Sequence, residues 1–344
     1  MAVAITMSAK RMAVVLAAHG EAETSGFFEN YQVSLHTLQR ASEVIAVPAP
    51  LRHFISFSSS VRKKIGRKTS GSPQNSLTRL QARALQAHLD ATCPDVSFEV
   101  IAAFSASEPG VEAVLEERRG YDGVIVAPMA PVDNAMSCGL LCKHLSKRCS
   151  PRELARTRVI GRLWEDETLH RVYLDYLFGS GRALPGGPKE RNALMLLFHG
   201  TLVEDRNGAP PAFHTGHVET VEFARRLTDI IESDPRTPWG MVTTAFLNHD
   251  VGGKWSAPSF DEAARMVIGK GFRHVSLFAA GYFSDGNETL HRESALLAIA
   301  PSVRVETIPC LNDSPHLIAC LAGRVVVASR QILAFSGDLQ SRAV

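Results

Sequence analysis

The sequence lacks a dominant charge, an excess of cysteine and any uninterrupted apolar run of the roughly 20 residues that span a bilayer. Its 37 Lys and Arg residues nearly balance its 35 Asp and Glu residues, so no global field favours nucleic acid or another highly charged partner. The six cysteines form no CxxC pair, and a chain of 344 residues needs no disulfides to bury a core. These absences predict a cytoplasmic protein that binds no nucleic acid. They leave open peripheral membrane contact and the choice between monomer and homodimer.

The sequence does contain a regular alternation of short apolar runs with longer amphipathic stretches, which is typical of buried parallel strands and helices. The predicted strands are Met12–Ala18, Ser97–Phe104, Gly123–Pro128, Thr157–Leu163, Ala193–Phe198, Trp239–Phe246, His274–Ala279 and Val303–Pro309. The first and fifth of these runs both lead into His-Gly, which indicates a duplicated domain. We therefore predict two doubly wound α/β domains with parallel sheets, residues 1–165 and 166–344, joined through the Gly- and Pro-rich segment Gly179–Pro188.

Histidines occupy the corners at which the first strand of each domain ends. Ligands of open parallel sheets bind outside the carboxyl ends of the strands, so His19 and His199 should face a cleft between the domains. A neutral imidazole at such a corner can ligate a divalent metal or accept a proton. The alternative for each residue is a structural role at a strand end.

Glu288 lies in SDGNETLHRE, directly after another predicted strand, and offers a carboxylate at the same edge. A histidine and a glutamate together suit the handling of Fe²⁺ and of protons. The alternative is a helix-capping box, because Asp285 precedes Glu288 by three positions and the glutamate would then serve only backbone donors. From the residues alone, the capping interpretation is the favoured one.

Three further histidines are weaker candidates. His214 and His217 have the i,i+3 spacing of one helix face, but Gly216 between them weakens such a helix. His249 follows another predicted strand and is given similarly little weight as a metal ligand.

Basic and aromatic residues are candidates for contact with a flat, acidic ligand. Between Arg62 and Lys68 the run RKKIGRK holds five basic residues that suit carboxylates, with a solvated loop as the alternative. Trp255 suits an apolar wall, and a place in the core is equally consistent with it. The cysteines nearest one another have no zinc-like spacing, which argues against a metal cluster on Cys138, Cys142 and Cys149.

Several segments in a fixed order resemble the ferrochelatase family. LLFHGTL, the tryptophan segment GGKWSAPS, GYFSDGNETL and PCLNDSP follow one another in the second half, and SGSPQNSLTRLQARAL and RLWEDETLHRVYLDYL precede them. The resemblance covers about residues 12–325. It implies the chelatase fold, two flavodoxin-like domains with a porphyrin cleft between them. It also implies insertion of Fe²⁺ into a porphyrin in haem biosynthesis, with loss of two pyrrole protons. Protoporphyrin IX and coproporphyrin III both remain open as substrates.

The resemblance also implies roles for particular residues. The catalytic pair, which also ligates the metal, falls on His199 and Glu288, and His19 falls where some bacterial members carry a tyrosine that faces the metal. The implied substrate-binding residues are His19, Arg62, Arg67, Ser72, Pro73 and Trp255. Iron is a substrate here, and no tightly bound cofactor is expected. Cys138 matches one iron-sulfur ligand of some members, but the other ligands are missing, so a cluster is not expected.

The sequence departs from the family pattern at several positions. Gly286 replaces a common histidine, and Ala209 lies where the family usually has an aspartate. Arg292, four residues after Glu288, is expected to pair with the Glu288 carboxylate. These departures keep two alternatives open: a chelatase for another tetrapyrrole, similar to sirohydrochlorin cobaltochelatases, and a non-catalytic tetrapyrrole-binding or carrier protein.

Overall fold

The computed structural model describes residues 9–45, 47–65, 71–179, 185–249 and 252–341. The strands of this part are β1 Lys10–Ala18, β2 Val96–Phe104, β3 Gly123–Pro128, β4 Thr157–Val159, β5 Asn192–His199, β6 Leu202–Glu204, β7 Met241–Leu247, β8 Lys254–Trp255, β9 His274–Phe278 and β10 Arg304–Ile308. The α-helices are α1 Phe27–Ala41, α2 Ala49–Ile65, α3 Gln74–Thr92, α4 Val111–Glu117, α5 Leu140–Arg148, α6 Pro151–Ala155, α7 Glu167–Phe178, α8 His217–Ser233, α9 Phe260–Gly269, α10 Arg292–Ile299 and α11 Pro315–Ser341.

Two four-stranded sheets repeat one topology. The first has the strand order β2-β1-β3-β4 and the second the order β7-β5-β9-β10, so both are 2-1-3-4 arrangements. All neighbouring strands in both sheets pair in parallel. The prediction of two doubly wound domains with parallel sheets is confirmed, as are its eight strands.

The differences from the predicted strands are local. β4 ends at Val159 rather than at Leu163, because Arg162 adopts a left-handed backbone conformation with φ 55° and a short 3-10 turn follows. The antiparallel pair β6 and β8 was not predicted. These strands have only three and two residues, too few for a hydrophobic period to appear.

Successive side chains of a strand point to opposite faces of the sheet, and both faces of the central strands pack against a core. In β1, Val14 and Leu16 point into a central core, whereas Ala13 and Val15 point to a second core beneath α4 and α5. The central core joins the inner faces of both sheets through α3, α7, α8 and α11. The two domains therefore share one apolar layer, and their relative placement rests on close packing.

The last helix, α11, completes the shared core. Leu317 and Ile332 are completely buried there, and Ile332 lies beside Gly123 of the first sheet. The end of the chain thus packs on the first domain, while the division at residue 165 remains a prediction. By length and composition, Pro315–Phe335 is apolar enough to cross a membrane, and half of it is buried within the protein. Arg324 and Arg330 interrupt this segment, so it is a core helix and not an uninterrupted apolar run.

Candidate active site

Both His-Gly corners lie at the carboxyl ends of the first strands, as predicted. His199 is the last residue of β5, and His19 directly follows β1. Gly20 has φ +87°, a conformation that glycine adopts without strain. A Cβ atom at Gly200 would lie 2.1 Å from Asn248 Oδ1 and 2.9 Å from the Leu247 carbonyl oxygen. At both corners the glycine therefore allows the backbone to turn directly after the histidine, which leaves the histidine side chain at the edge of the sheet.

Three potential metal ligands converge at the second sheet. His199 Nε2 lies 3.6 Å from Glu288 Oε1, His249 Nε2 lies 3.4 Å from the same oxygen, and the two Nε2 atoms are 3.4 Å apart. The ligands lie at or beyond the carboxyl ends of three adjacent strands, with β5 between β7 and β9. Two imidazoles and one carboxylate form a mixed nitrogen and oxygen set that suits divalent iron, cobalt or zinc. His199 and Glu288 are the ligands predicted from the family resemblance, whereas His249 is a ligand to which the sequence gave little weight.

Glu288 is held in the ionised form by its surroundings. Burial alone raises the pKa of Glu288, but the charge of His199, a hydrogen bond from Tyr282, and the charges of His249 and His19 outweigh burial and lower it. The Tyr282 hydroxyl donates to Glu288 Oε2 at 2.5 Å, which leaves Oε1 toward the histidines. Burial, reinforced by the carboxylate, raises the pKa of Tyr282 well above its usual value, so the phenol remains a donor. Tyr282 was not among the site residues predicted from the sequence.

The loop around Glu288 does not form the capping box that the sequence favoured. The Asp285 carboxylate accepts instead from the Cys310 backbone N–H at 3.2 Å and from the Asn312 side chain at 2.8 Å. Helix α10 begins only at Arg292, so Glu288 and Arg292 do not share a helix face. The prediction that Arg292 pairs with the carboxylate is wrong, because its guanidinium donates to the backbone carbonyl of Glu288.

His19 faces this cluster from the first domain. Its Nε2 lies 3.4 Å from Thr37 Oγ1, and its ring opens into the cleft. Desolvation by the cleft walls lowers the pKa of His19, although the negative charges of Glu21 and Glu288 partly oppose this effect. His19 therefore presents a neutral imidazole at neutral pH. Glu21, two residues after His19, accepts a hydrogen bond from the backbone N–H of Asn287, which precedes Glu288, so the His19 corner lies beside the loop that carries Glu288.

The predicted substrate-binding residues lie in different surroundings. Trp255 meets the His249 ring edge-to-face at a centroid distance of 5.2 Å, beside the metal-ligand cluster. Ser72 is buried and donates to the Glu21 carboxylate, and Pro73 directly precedes α3. Arg62 is exposed in the last turn of α2. Arg67 lies outside the described residues.

The remaining candidates do not join the cluster. His214 binds Glu219 at 2.9 Å, and His217 binds Thr201 at 2.8 Å. They do not share a helix face, because α8 begins only at His217. Cys138 and Cys142 approach to 3.8 Å between their sulfur atoms, and both thiols are free. The Ala209 backbone N–H donates to the Asp205 carboxylate in a tight turn at 2.9 Å.

Comparisons with known proteins found similar sequences. The sequence model of a family described as Ferrochelatase matches residues 11–328. A coproporphyrin III ferrochelatase of Symbiobacterium thermophilum is 26% identical over 258 residues, which are 73% of this chain and 75% of that protein. A ferrochelatase of Enterobacter sp. (strain 638) is 25% identical over 261 residues, 74% of this chain and 76% of that protein.

Two solved structures of SirB are also similar. SirB from Bacillus subtilis with Fe³⁺ has a TM-score of 0.47 at 14% identity and covers 93% of this chain and 96% of its own. The sirohydrochlorin chelatase SirB from Bacillus subtilis subspecies spizizenii in complex with cobalt has a TM-score of 0.48 at 13% identity, with the same coverage of 93% and 96%.

Proposed function

Because the chain belongs to the ferrochelatase family, we propose that this metal chelatase inserts Fe²⁺ into protoporphyrin IX or coproporphyrin III in haem biosynthesis. The observation that carries the proposal is the convergence of His199, His249 and Glu288 at one edge of the second sheet, with His19 supplied by the first domain. A flat macrocycle between the domains would then meet metal ligands on one face and a neutral base on the other.

The three-residue cluster would hold the incoming iron. The Nε2 atoms of His199 and His249 and Oε1 of Glu288 lie within 4.8 Å of one another, so one ion can contact all three. The lowered pKa of Glu288 keeps its carboxylate charged, which favours a divalent cation. Three protein ligands leave other coordination positions open, and pyrrole nitrogens would enter there as the iron is handed over.

Two protons must leave the macrocycle as the iron enters. His19 would accept one proton because desolvation keeps its ring neutral. The second would leave on the metal side through Glu288 once the iron has moved to the pyrrole nitrogens. Contacts between the cleft walls and the macrocycle, including one from Trp255 beside the metal ligands, would tilt the pyrroles out of plane and expose their lone pairs.

A second candidate function follows from His249. Nitrogen-rich sites bind Co²⁺ and Ni²⁺ more tightly than Fe²⁺, and a second imidazole moves the ligand set in that direction. Insertion of cobalt into sirohydrochlorin would use the same cluster, and the choice of metal and tetrapyrrole separates the two functions.

The test is anaerobic metallation, followed by absorption. The purified protein is incubated with Fe²⁺ or Co²⁺ and, separately, with protoporphyrin IX, coproporphyrin III or sirohydrochlorin. Metallation of one of the first two with Fe²⁺ is expected, with a loss of about 10²- to 10⁴-fold in His199→Ala. The control is His88→Ala, because His88 lies 14 residues along α3 from Gln74, about 20 Å from the cleft end of that helix.

The other outcomes are equally distinct. Cobalt insertion into sirohydrochlorin alone would replace the iron proposal by the second candidate. Tight binding of all three tetrapyrroles without metallation would indicate a carrier protein.

A further inference from the structure

The loop that carries Glu288 is held by side chains of the other domain. Glu21, two residues after His19, accepts a hydrogen bond from the backbone N–H of Asn287 at 2.9 Å. Farther back in the same loop, Gln81 of α3 donates to Ser284 Oγ and to the Asn312 carbonyl oxygen, each at 2.9 Å. Two contacts from the first domain therefore fix the loop a few residues before the Glu288 side chain.

Glu21 is itself held firmly. Its backbone N–H donates to Asn75 Oδ1 at 2.9 Å, and Asn75 Nδ2 donates back to the Glu21 carbonyl oxygen at 2.8 Å. Asn75 is only 2% exposed. The Ser72 hydroxyl donates to the same carboxylate oxygen that accepts from Asn287. The first domain thus presents the Glu21 carboxylate in one orientation.

The carboxylate of Glu21 uses space left by Gly286. A Cβ atom at position 286 would lie 2.8 Å from Glu21 Oε2 and 3.4 Å from its Cδ atom. Real Cβ atoms do not approach another atom as closely as the first of these distances. A side chain at position 286 and the observed position of Glu21 therefore exclude each other. The absence of a side chain at Gly286, where the family commonly has a histidine, therefore makes room for the Glu21 carboxylate.

The Asn287 N–H group that donates to Glu21 belongs to a tight turn. The backbone N–H groups of Thr289 and Leu290 both donate to the Gly286 carbonyl oxygen, at 3.1 and 3.0 Å. Asn287 lies inside this turn, and its N–H needs an acceptor from elsewhere. A charged acceptor forms a stronger bond than a neutral one. The Glu21 carboxylate thus accepts the hydrogen bond from Asn287, the residue that precedes Glu288.

We infer that Glu21 is a positioning residue that, with Gln81, clamps the Glu288 loop across the cleft and so aims the Glu288 carboxylate at His199 and His249. The inference rests on the proposed function, in which Glu288 is the catalytic carboxylate. The first domain therefore contributes to the metal site without touching the metal.

A double-mutant cycle tests the clamp. Glu21→Ala should lower kcat about 10- to 100-fold, as expected for a misplaced catalytic group, with little change in the KM for porphyrin. In the wild-type background, Gly286→Ala should lower kcat by a similar factor, because its methyl group displaces Glu21 Oε2. In the Glu21→Ala background this oxygen is absent, so adding Gly286→Ala should lower kcat less than about twofold further. Glu21→Gln keeps an oxygen acceptor for Asn287 and should recover most of the turnover. The control is Glu23→Ala, since Glu23 is a neighbouring glutamate that pairs with Arg79.

Binding of Co²⁺ without porphyrin, followed by its visible absorption, provides a readout independent of turnover. Glu21→Ala should weaken Co²⁺ binding or change its spectrum, and Glu21→Gln should resemble the wild type. A wild type that metallates no porphyrin, together with an altered Co²⁺ spectrum in Glu21→Ala, would reject the proposed function and still support the clamp. Unchanged kcat and Co²⁺ binding in folded Glu21→Ala, or additive effects of Glu21→Ala and Gly286→Ala, would overturn it.

Discussion

Replacing Tyr282 by phenylalanine removes one oxygen atom from the metal site and leaves the ring in place. That oxygen donates to Glu288 Oε2 at 2.5 Å. The pKa of Tyr282 is raised well above its usual value by burial and by the carboxylate, so the wild-type phenol donates this bond at any working pH. Tyr282→Phe therefore measures how much the hydrogen bond from Tyr282 to Glu288 contributes to metal binding.

The expected effect follows from the kind of bond that is lost. A hydrogen bond to a charged group contributes about 1.5–3 kcal/mol, or roughly 10- to 150-fold in an equilibrium constant. Loss of an outer partner of a metal ligand typically costs roughly 10- to 100-fold in affinity or activity. Tyr282→Phe should therefore weaken Co²⁺ binding about 10- to 100-fold.

The pH dependence has a definite sign. The bond from Tyr282 is one of the contacts that lower the pKa of Glu288 from 4.5. Metal binding through Glu288 needs the ionised carboxylate, so the contribution of this ligand is present at higher pH and lost as the pH falls through its pKa. Without the bond the pKa rises, and the contribution of Glu288 should be lost at a higher pH than in the wild type.

The assay is titration with Co²⁺ over a range of pH, and Tyr173→Phe is the matched control. Tyr173 is also buried, but its hydroxyl donates at 2.6 Å to the backbone carbonyl of Ala280 rather than to Glu288. Its loss should cost about 1 kcal/mol of stability and leave Co²⁺ affinity unchanged. Equal Co²⁺ affinity in Tyr282→Phe and the wild type, or equal losses in both variants, would refute the reasoning.

Three further predictions concern the same cleft. His249→Ala should weaken Co²⁺ binding by at least roughly 10- to 100-fold, whereas His88→Ala should not; isothermal titration that finds them equal would remove His249 from the site. Gly200→Ala places a methyl group 2.1 Å from Asn248 Oδ1, which should cost about 1–3 kcal/mol of stability. Gly269→Ala meets nothing within 4 Å and should cost none, so equal melting temperatures in calorimetry would contradict the predicted clash. Because desolvation lowers the pKa of His19 from 6.5, more than half of the rings are neutral at pH 6.5, and the part of single-turnover metallation that depends on His19 should have its acid midpoint below pH 6.5. A midpoint above 6.5 that is unchanged in His19→Ala would exclude His19 as the base.

The fold could be predicted from the sequence because its central strands are buried on both faces. The central strands β1, β3, β5 and β9 appear as apolar runs, and the His-Gly corners reveal the repeat. The short strands β6 and β8 show no such pattern. The pairing expected between Arg292 and the Glu288 carboxylate assumed a continuous helix, which the turn before α10 interrupts.

The site could be predicted only where a residue ends a recognisable strand. His199 was found in this way, whereas Glu288 was favoured only through the resemblance to ferrochelatases, because its neighbours alone suggested a capping box. The roles of both residues remain predictions. His249 becomes a partner of His199 only because β7 lies beside β5, and this strand order cannot be read from a periodicity. Tyr282 and Glu21 act through contacts made by loops, and in the sequence they resemble any other polar residue near a strand end.

The central claim is that His199, His249 and Glu288 form one metal site, and a crystal soaked with Zn²⁺ tests it most directly. An anomalous difference peak is predicted about 2.0–2.2 Å from both Nε2 atoms and from Oε1 of Glu288. The peak should vanish in His199→Ala crystals soaked in the same way. Zinc bound elsewhere, for example between Cys138 and Cys142, with no density at the three ligands, would contradict the account.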